Sequence, residues 1–398
     1  MATYDLLLKN GRVIDPVQGL DGVMDVALLG GRVAAVAAGL PADAAAHVID
    51  VAGKLVVPGL VDLHTHVFPG VTSLGIEADR DCLFKGATTV VDAGSAGALN
   101  IDGFRRYVIR MSQARVLAFL NISTIGMLSD DVWVTELGWL PLCDVPAAIR
   151  AIRSNRDIIV GLKVRLSEYI TKENGPAVLE RALQVAEAAG VRMMVHIGAS
   201  PMPLADILRR MRPGDILTHT YTSFGGIDFH EDGSYAARPP APRGAGTTIL
   251  DAAGRVIPEA WDARRRGVVI DVGHGMGSFS FEVCRAAFEQ GYRPDTISTD
   301  LHTGSINGPV FDLPTLMSRF LCLGMPLTEV IAATTARPAQ ALGLAGEIGS
   351  LRPGVAGDVT VLELVRGHFE FRDAAGASME GDQKLLPALV VRAGRLVF

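Results

Sequence analysis

The stretch that decides the fold is LVVPGLVDLHTH, residues 55–66, in which an apolar run ends in two histidines. Side chains alternate between the two faces of a β-strand, so residues two positions apart point the same way. His64 and His66 at the end of a buried strand therefore converge on one point. Imidazole is a common ligand of zinc and other transition metals, and the pair predicts a metal site. Such a pair also occurs as ordinary polar packing, so the interpretation depends on the rest of the chain.

A repeated pattern follows this stretch. Eight apolar strand candidates alternate with helical stretches, of which 177–189 and 279–290 are the clearest; the strands are 59–66, 88–93, 116–123, 158–166, 192–197, 216–221, 268–272 and 296–300. Near-continuous apolar strands separated by helices are typical of a parallel sheet. Eight such units predict an α/β fold, a (β/α)8 TIM barrel over residues 58–345. An open doubly wound sheet is the alternative, but no G-x-G-x-x-G motif follows any of these strands.

Short strands with glycine turns flank the barrel on both sides. In residues 1–57, a hairpin is predicted at Asn10-Gly11, a second at Gly30-Gly31 between 23–29 and 32–37, and further strands at 50–57. In residues 346–398, strands are predicted at 359–363, 389–392 and 396–398. Together the two ends predict one discontinuous β-sandwich module.

One stretch of the barrel breaks the pattern. Residues 222–258 are long, irregular and rich in glycine and proline, and they follow the sixth predicted strand. Loops of this length are usually functional or disordered, so the stretch is predicted to be either a lid over the site or a disordered loop.

Composition excludes several classes of protein. A chain of 398 residues, 49% of them hydrophobic, is long enough for a barrel of ~250 residues and a smaller module. The net charge of −6, without long runs of either sign, argues against a nucleic-acid partner. No leader peptide and no apolar run of ~20 residues is evident, which predicts no membrane partner. The four cysteines form no C-x-x-C pair, which favours reduced thiols and a cytoplasmic location.

Further candidate ligands stand where other predicted strands end. His196 closes the fifth strand, His219 the sixth and Asp300 the eighth. Each residue alone is most simply a polar group at the rim. Shared by four strand ends, the property indicates one site at the carboxyl ends of the barrel strands, where TIM barrels keep their active sites.

Lys163 lies inside the fourth predicted strand, IIVGLKVRL, which should be buried on both faces. A protonated ammonium there is costly unless it is paired, and burial near cations should depress its pKa. A neutral amine can react with carbon dioxide to form a carbamate, an anion able to bridge two metals. The alternative is a lysine that reaches the rim or pairs with an acid. Beside the histidines and Asp300, we favour the carbamate.

The order of these residues resembles that of the amidohydrolase superfamily. The superfamily has H-x-H on strand one, lysine on strand four, histidines on strands five and six, and aspartate on strand eight. Residues 5–16 are similar to its N-terminal β module, and 336–344 and 349–359 to its C-terminal signature. Within it, GLKVRLS at 161–167 and DVGHG at 271–275 most resemble the deacetylase-like branch, often labelled dihydroorotase. One departure is Phe68, which stands where the dihydroorotase motif H-x-H-x-R has arginine.

The resemblance implies a centre of two divalent ions, with zinc favoured and manganese, cobalt or iron as alternatives. One ion would be held by His64, His66 and Asp300. The other would be held by His196 and His219. A bridging hydroxide and Lys163, carried as N6-carboxylysine, would join the two ions, and Asp300 would be the catalytic base and acid.

Four residues are candidates for substrate contact: Arg165, His274, Tyr221 and His302. Arg165 suits a substrate carboxylate or a structural ion pair, and Tyr221 suits the mouth or the core. The function predicted is removal of an acetyl-like acyl group from an amide or ester of a small carboxylated compound. Hydrolysis of a cyclic amide is the alternative, and a non-catalytic interaction protein is less favoured because all six ligand positions are filled. The expected partner is a small-molecule substrate, with a homo-oligomer left open.

Overall fold

The computed structural model describes residues 3–128, 135–229 and 235–397. Its strands, numbered along the chain, are β1 (Tyr4–Asp15), β2 (Leu20–Leu29), β3 (Arg32–Ala37), β4 (Ala45–Asp50), β5 (Leu55–Pro58), β6 (Leu60–Thr65), β7 (Ala87–Ala93), β8 (Arg115–Asn121), β9 (Ile159–Arg165), β10 (Arg192–His196), β11 (Ile216–Thr218), β12 (Ile227–Phe229), β13 (Tyr235–Ala237), β14 (Val269–Ile270), β15 (Val359–Arg372), β16 (Ser378–Arg392) and β17 (Arg395–Leu396). Its α-helices are α1 (Ile101–Phe104), α2 (Val145–Ser154), α3 (Glu168–Thr171), α4 (Gly175–Ala189), α5 (Leu204–Arg210), α6 (Pro258–Arg265), α7 (Phe281–Glu289), α8 (Leu313–Cys322), α9 (Leu327–Thr334) and α10 (Ala336–Leu342).

The predicted α/β barrel is confirmed. Strands β6 to β11 and β14 form one parallel sheet in the order β14-β11-β10-β9-β8-β7-β6. The eighth predicted strand, 296–300, is extended chain rather than a regular strand. It still closes the ring, since parallel bridges join Thr296 to Asp271 and Leu301 to Thr65. The extended run ends at Asp300, whose φ of +50° is a left-handed conformation outside the β region.

Helices pack around this ring by burying one apolar face. In α4, Val178, Ala182 and Val185 recur at helical spacing and are fully buried. The helix ends at Gly190, whose φ of +64° suits the left-handed cap that only glycine adopts without strain. The amino-terminal end of the barrel is filled by an apolar plug from α10 and the residues after it, formed by Ala339, Leu342 and Ile348.

The two chain ends form a second sheet beside the barrel. Its strand order is β17-β16-β15-β5-β1-β2-β3, with β4 paired to β1. The sheet curls so that its two halves share one core, in which Leu6, Val26 and Val33 pack with Val359 and Val391.

One prediction for this module is wrong, and two predicted strands are longer than expected. Asn10-Gly11 is not a hairpin turn, because β1 runs through it unbroken, and the pair makes a bulge with Asn10 at φ +63°. The predicted strands 359–363 and 389–392 are the ends of a much longer hairpin, β15–β16. The hairpin packs against the barrel: Leu385 N donates to Ser318 Oγ and Phe281 N donates to Asp373 Oδ2.

The described parts of 222–258 contain one short hairpin. Strands β12 and β13 pair as a hairpin, and Arg238 in this hairpin forms ion pairs with Asp228 and with Glu168 beside the barrel mouth. Residues 230–234 of the predicted lid lie outside the described residues. No described helix is long and apolar enough to cross a bilayer, and the cysteines are free.

Candidate metal centre

His64 and His66 lie side by side at the end of β6 and face Asp300. The Nε2 atoms of the two rings are 3.3 and 3.1 Å from the same Asp300 oxygen, Oδ1. Asp300 reaches them because its backbone N–H donates to the His64 carbonyl at 2.7 Å, where the ring of strands closes. All three side chains are almost fully buried, so the polar atoms meet away from bulk water.

The other nitrogen of each ring is already engaged. The Thr218 hydroxyl donates to Asp271 at 2.8 Å, so its oxygen accepts from His64 Nδ1 at 2.9 Å. His66 Nδ1 is 3.1 Å from the hydroxyl oxygen of Ser95. With its proton on Nδ1, His64 presents the Nε2 lone pair to the centre. In metal sites, the hydrogen bond made by the nitrogen that does not bind the metal fixes the tautomer and the orientation of the ring.

His219 and His196 lie across from this pair. His219 Nδ1 donates to the Gly273 carbonyl at 2.5 Å, which turns its Nε2 inward. One ligand atom each from His64, His219 and Asp300 lie within 4.8 Å of one another. The His196 ring is centred 4.4 Å from that of His219.

His196 is held through its Nε2 atom, whereas the other three rings are held through Nδ1. The Ser167 hydroxyl donates to the Gly198 carbonyl at 2.6 Å and therefore accepts from His196 Nε2 at 2.9 Å. The free lone pair of His196 is consequently on Nδ1. His196 thus differs from His64 and His219 in the nitrogen that it offers.

Lys163 reaches the same point from β9. Its Nζ is 2.9 Å from His64 Nε2 and 3.6 Å from Met194 Sδ, and the residue is 1% exposed. Gly94 makes room for it, since a Cβ there would lie 2.7 Å from Lys163 Cγ. Burial lowers the pKa of Lys163 to about 7, so the neutral amine is well populated near neutral pH.

Burial also keeps three of the imidazoles neutral. It holds the pKa of His64 and His196 well below the ordinary value of 6.5, and it lowers the pKa of His219 to about 4. Burial opposes ionisation of Asp300, but the neighbouring rings of His64 and His66 outweigh it and hold the pKa of Asp300 well below its usual range. Neutral imidazoles and an ionised carboxylate are the forms that bind divalent cations.

Two buried carboxylates that sequence reasoning missed hold the strand ends together. Asp271 accepts from the hydroxyls of Thr296 and Ser298, at 2.6 and 2.7 Å, besides that of Thr218. Asp62 accepts from the backbone N–H and the hydroxyl of Thr299. Burial raises the pKa of Asp271 to about 6 and that of Asp62 to about 7. Their positions in the sequence could have indicated them, since Asp62 lies two residues before the H-x-H motif and Asp271 lies at the end of strand seven.

The backbone of the site is strained. His219 has φ +64° and Asp300 has φ +50°, in a region that costs a non-glycine residue of order 1–3 kcal/mol. Gly275, which follows strand seven, supports this geometry by having no side chain, since a Cβ there would lie 2.2 Å from Asp300 Oδ2.

The structure places Arg165 in a buried ion pair. Its Nη1 donates to Glu136 Oε2 at 2.8 Å, with side-chain exposures of 8% and 1%. Asn121 Nδ2 donates to the other oxygen of Glu136 at 3.3 Å. This is the structural alternative that the sequence left open for Arg165.

The other three substrate candidates lie at different depths. His274 is fully buried between Arg319, whose Nη1 donates to its Nε2 at 2.6 Å, and the Gly275 carbonyl, which accepts from its Nδ1 at 2.8 Å. Tyr221 is in the core, with its hydroxyl donating to the Tyr292 carbonyl. His302 is nearest the centre, its ring 6.3 Å from that of His66.

These features define a (β/α)8 barrel enzyme with a histidine and carboxylate centre at the carboxyl ends of its strands. The amidohydrolase family matches residues 280–397. The chain is 36% identical over 373 residues to a deacetylase of Agrobacterium fabrum, covering 93% of this chain and 86% of that one. It is 32% identical over 396 residues to a deacetylase of Enterococcus faecalis, covering 99% of both.

Solved structures agree with these relatives. The crystal structure of an adenine deaminase has a TM-score of 0.87 and 31% identity, covering 99% of both chains. That of a dihydroorotase has a TM-score of 0.84 and 33% identity, covering 98% of both. The chain belongs to the amidohydrolase family and is a hydrolase that acts on C–N bonds.

Proposed function

We propose that this chain is a metal-dependent deacetylase, which removes an acetyl-like acyl group from an amide, or from an ester, of a small carboxylated compound. The observation that carries the proposal is the convergence of His64, His66 and His219 on Asp300, with each of the three rings oriented by a partner outside the centre. The similarity to deacetylases over nearly the whole chain supports the acyl group as the part removed.

The donor set fits divalent transition metals, because it combines neutral imidazoles with one carboxylate. His64, His66 and Asp300 would hold one ion, and His196, through Nδ1, and His219 the other. Zinc is favoured, with manganese, cobalt or iron as alternatives. When bound, such ions supply a water acidified to a pKa of ~7 and polarise the carbonyl that is attacked.

Lys163 is proposed to act as its carbamate. The neutral amine nitrogen attacks carbon dioxide, an N–C bond forms, one C=O bond pair moves to oxygen, and the amine proton leaves to solvent. The product is an anion with two oxygens in place of a buried cation. Its position, 2.9 Å from His64 Nε2, supports a role as a ligand shared by the two ions.

Asp300 is proposed to move the proton. Its carboxylate accepts the proton of the attacking water and then donates it to the nitrogen or oxygen that leaves. The strained backbone at Asp300 and the space at Gly275 hold this carboxylate beside both histidines of β6. Arg165 is the cation on the same strand as Lys163, and contact with a substrate carboxylate would require it to leave its ion pair with Glu136. Small-molecule chemistry without nucleic acid or membrane, in the cytoplasm, stays a prediction, as does the oligomeric state.

Hydrolysis of a cyclic amide is the second candidate, and similarity to a dihydroorotase structure favours it. Phe68 opposes dihydroorotate as the substrate. Its ring is 3% exposed and packs edge-on against Phe104 at 5.0 Å, so this position offers an apolar wall rather than a cation for a carboxylate.

The test is a turnover screen with zinc or manganese supplied. N-acetyl and N-formyl amino acids and O-acetyl hydroxy acids are compared with hydantoins and dihydroorotate. Turnover of the acyl compounds but not of the cyclic amides supports the deacetylase proposal. Turnover of the cyclic amides but not of the acyl compounds would contradict it and support cyclic-amide hydrolysis. Metal analysis should find about two ions per chain, as in two-metal sites, and none would exclude the proposed centre.

The carbamate has a separate test. Lys163→Ala should lose activity, and a short carboxylic acid such as acetate or formate should restore part of it by occupying the vacated space. Lys163→Ala with full activity, or full activity of the wild type after carbon dioxide has been removed during refolding, would exclude the carbamate.

A further inference from the structure

The end of the barrel opposite the metal centre carries a groove of about 930 Å³, which we call the basal groove. It lies where β10, β11 and β14 begin, beside α10. Arg192 begins β10 and His196 ends it, so the groove and the centre are separated by about 13 Å of strand. Four arginines line the groove: Arg192, Arg212, Arg264 and Arg337.

Two of these arginines are neutralised. Arg212 Nη2 pairs with Asp215 Oδ1 at 2.9 Å, where Asp215 is buried. Arg264 Nη2 pairs with Asp295 Oδ1 at 3.1 Å. Their charges are satisfied within the protein, and they shape the wall of the groove.

The other two have no such partner. Within residues 3–128, 135–229 and 235–397, neither Arg192 nor Arg337 has a hydrogen bond or an ion pair from its side chain. Glu187 also lines the groove but lies in no ion pair with them. Both arginines are half-buried, and burial lowers the pKa of Arg192, partly offset by the more distant Asp215. Two cations are therefore held partly out of water without a carboxylate paired directly to them.

We propose that the basal groove binds a small phosphate-bearing anion, with Arg192 and Arg337 as its principal ligands. The planar guanidinium fork pairs with phosphate oxygens two at a time, and two such forks match the charge of one phosphate group. The groove has the size of a small-molecule site, so it accommodates a phosphorylated compound as well as free phosphate. Gln340, three residues after Arg337 on the same face of α10, offers an amide to the remainder of such a compound.

The charge is local, which favours a specific site. The chain as a whole carries −6, so general attraction of anions to its surface does not explain two unpaired arginines in one groove. The basal groove shares no residue with the metal centre, and this proposal stands or falls separately from the deacetylase function.

The test uses the metal-loaded full chain at constant ionic strength, maintained with chloride. Isothermal titration calorimetry and thermal unfolding are followed with inorganic phosphate, glycerol phosphate and succinate. Phosphate should bind the wild type and raise its unfolding temperature, because a ligand that binds only the folded state stabilises it. Arg192→Gln and Arg337→Gln should each weaken the binding at least tenfold. Arg285→Gln, an exposed arginine on α7 outside the groove, should leave it unchanged.

Three outcomes would overturn the proposal. Equal phosphate affinity in all three variants would show that the groove is not the site. Binding that survives in Arg192→Gln and Arg337→Gln but disappears on metal removal would place phosphate at the metal centre. Binding of succinate as tight as that of phosphate would remove the preference for phosphate. Because Arg337 is on the surface of α10, its variant tests the proposal even if Arg192→Gln fails to fold.

Discussion

The two ends of the barrel are built on opposite principles. At the carboxyl ends of the strands, histidines, carboxylates and hydroxyls are buried together and form a hydrogen-bonded network. At the amino ends, the interior is closed by the apolar plug of Ala339, Leu342 and Ile348. The ends also differ in backbone strain. Among the described residues 58–345, the non-glycine residues with positive φ all lie in loops that follow barrel strands: Lys172, Ala199, His219, Asp300 and Phe311.

The comparison separates stability from function. An apolar plug is stabilised by removing surface from water and needs no particular orientation of its groups. A buried polar cluster is costly unless every donor and acceptor is matched, and a strained backbone persists only where surrounding contacts determine it. Substitutions at the plug should therefore act on unfolding, and substitutions at the mouth should act on chemistry.

The largest effect is expected at Asp300. Asp300→Asn keeps the shape and removes the proton acceptor, so kcat should fall by about 10²–10⁴, the usual contribution of a general acid–base group. Most of the metal should stay bound, because His64 and His66 remain. Steady-state kinetics and metal analysis of the same preparation check this. Near-normal kcat would remove Asp300 from its proposed role.

Gly275→Ala should have the next largest effect, with a ten- to hundredfold loss of kcat, since misplacing a catalytic group by ~1 Å costs about that much. The new Cβ would lie 2.2 Å from Asp300 Oδ2 and displace it. Gly30→Ala is the matched control, because Gly30 has a similar φ of +58° but nothing within 4 Å of the added atom. Equal loss in both variants would show that backbone strain alone is responsible.

Thr218→Val tests the support of His64. It removes the hydroxyl between His64 Nδ1 and Asp271, and loss of such a partner typically weakens metal affinity by about 10–100-fold. Thr89→Val is the control, a buried threonine on the neighbouring strand β7 whose hydroxyl has no partner among the described residues. Chelator titrations should separate the two variants, and indistinguishable affinities would contradict the role of Thr218.

The smallest expected effect is a loss of folding stability at acidic pH, to which several buried histidines contribute. In the metal-free chain His64, His196, His219 and His274 have depressed pKa values, so between about pH 5 and 6.5 the unfolded chain binds more protons than the folded one. Their stabilising contribution is present above pH 6.5 and is lost as the pH falls, by roughly 1 kcal/mol for each residue. The raised pKa values of three buried acids, Asp62, Asp92 and Asp271, act in the opposite direction and are outnumbered by the four histidines.

Urea unfolding of the metal-free chain at pH 5.5 and 7.5 measures this balance. The free energy of unfolding should be lower at pH 5.5, and His196→Asn should reduce the difference. A chain more stable at pH 5.5 than at pH 7.5 would show that the buried acids control the titration.

Much of the barrel could be predicted from the sequence pattern alone. Apolar runs predicted all eight strand positions, because parallel strands buried on both faces leave little freedom in composition. The eighth is extended chain that ends at Asp300 rather than a regular strand, and nothing in the residue name predicts φ +50°. Asn10-Gly11 misled for a related reason: the same two residues suit a hairpin turn and a bulge, and only the pairing with β2 and β4 distinguishes them.

The site shows a similar limit. Histidine, lysine and aspartate at strand ends could be chosen from the sequence as candidate ligands. The partners Thr218 and Ser95 could not, because they are ordinary residues whose roles depend on which strands become neighbours. Arg165 is a further example, because its partner Glu136 is 29 residues away in the chain and no local pattern indicates that the two side chains form an ion pair.

The pairing of β5 with β15 also bears on how the chain is made. Leu55 pairs with Leu362, and Pro58 with Val359. At ~5–20 residues per second, a ribosome needs about 15 to 60 s to synthesise the chain between them. For that interval the nascent protein holds an apolar strand edge, immediately before the two histidines of β6, with no neighbour on one side. Synthesis of β15 is then what allows the sheet beside the metal centre to close, and a chaperone that covers residues 55–58 would shield this edge until then.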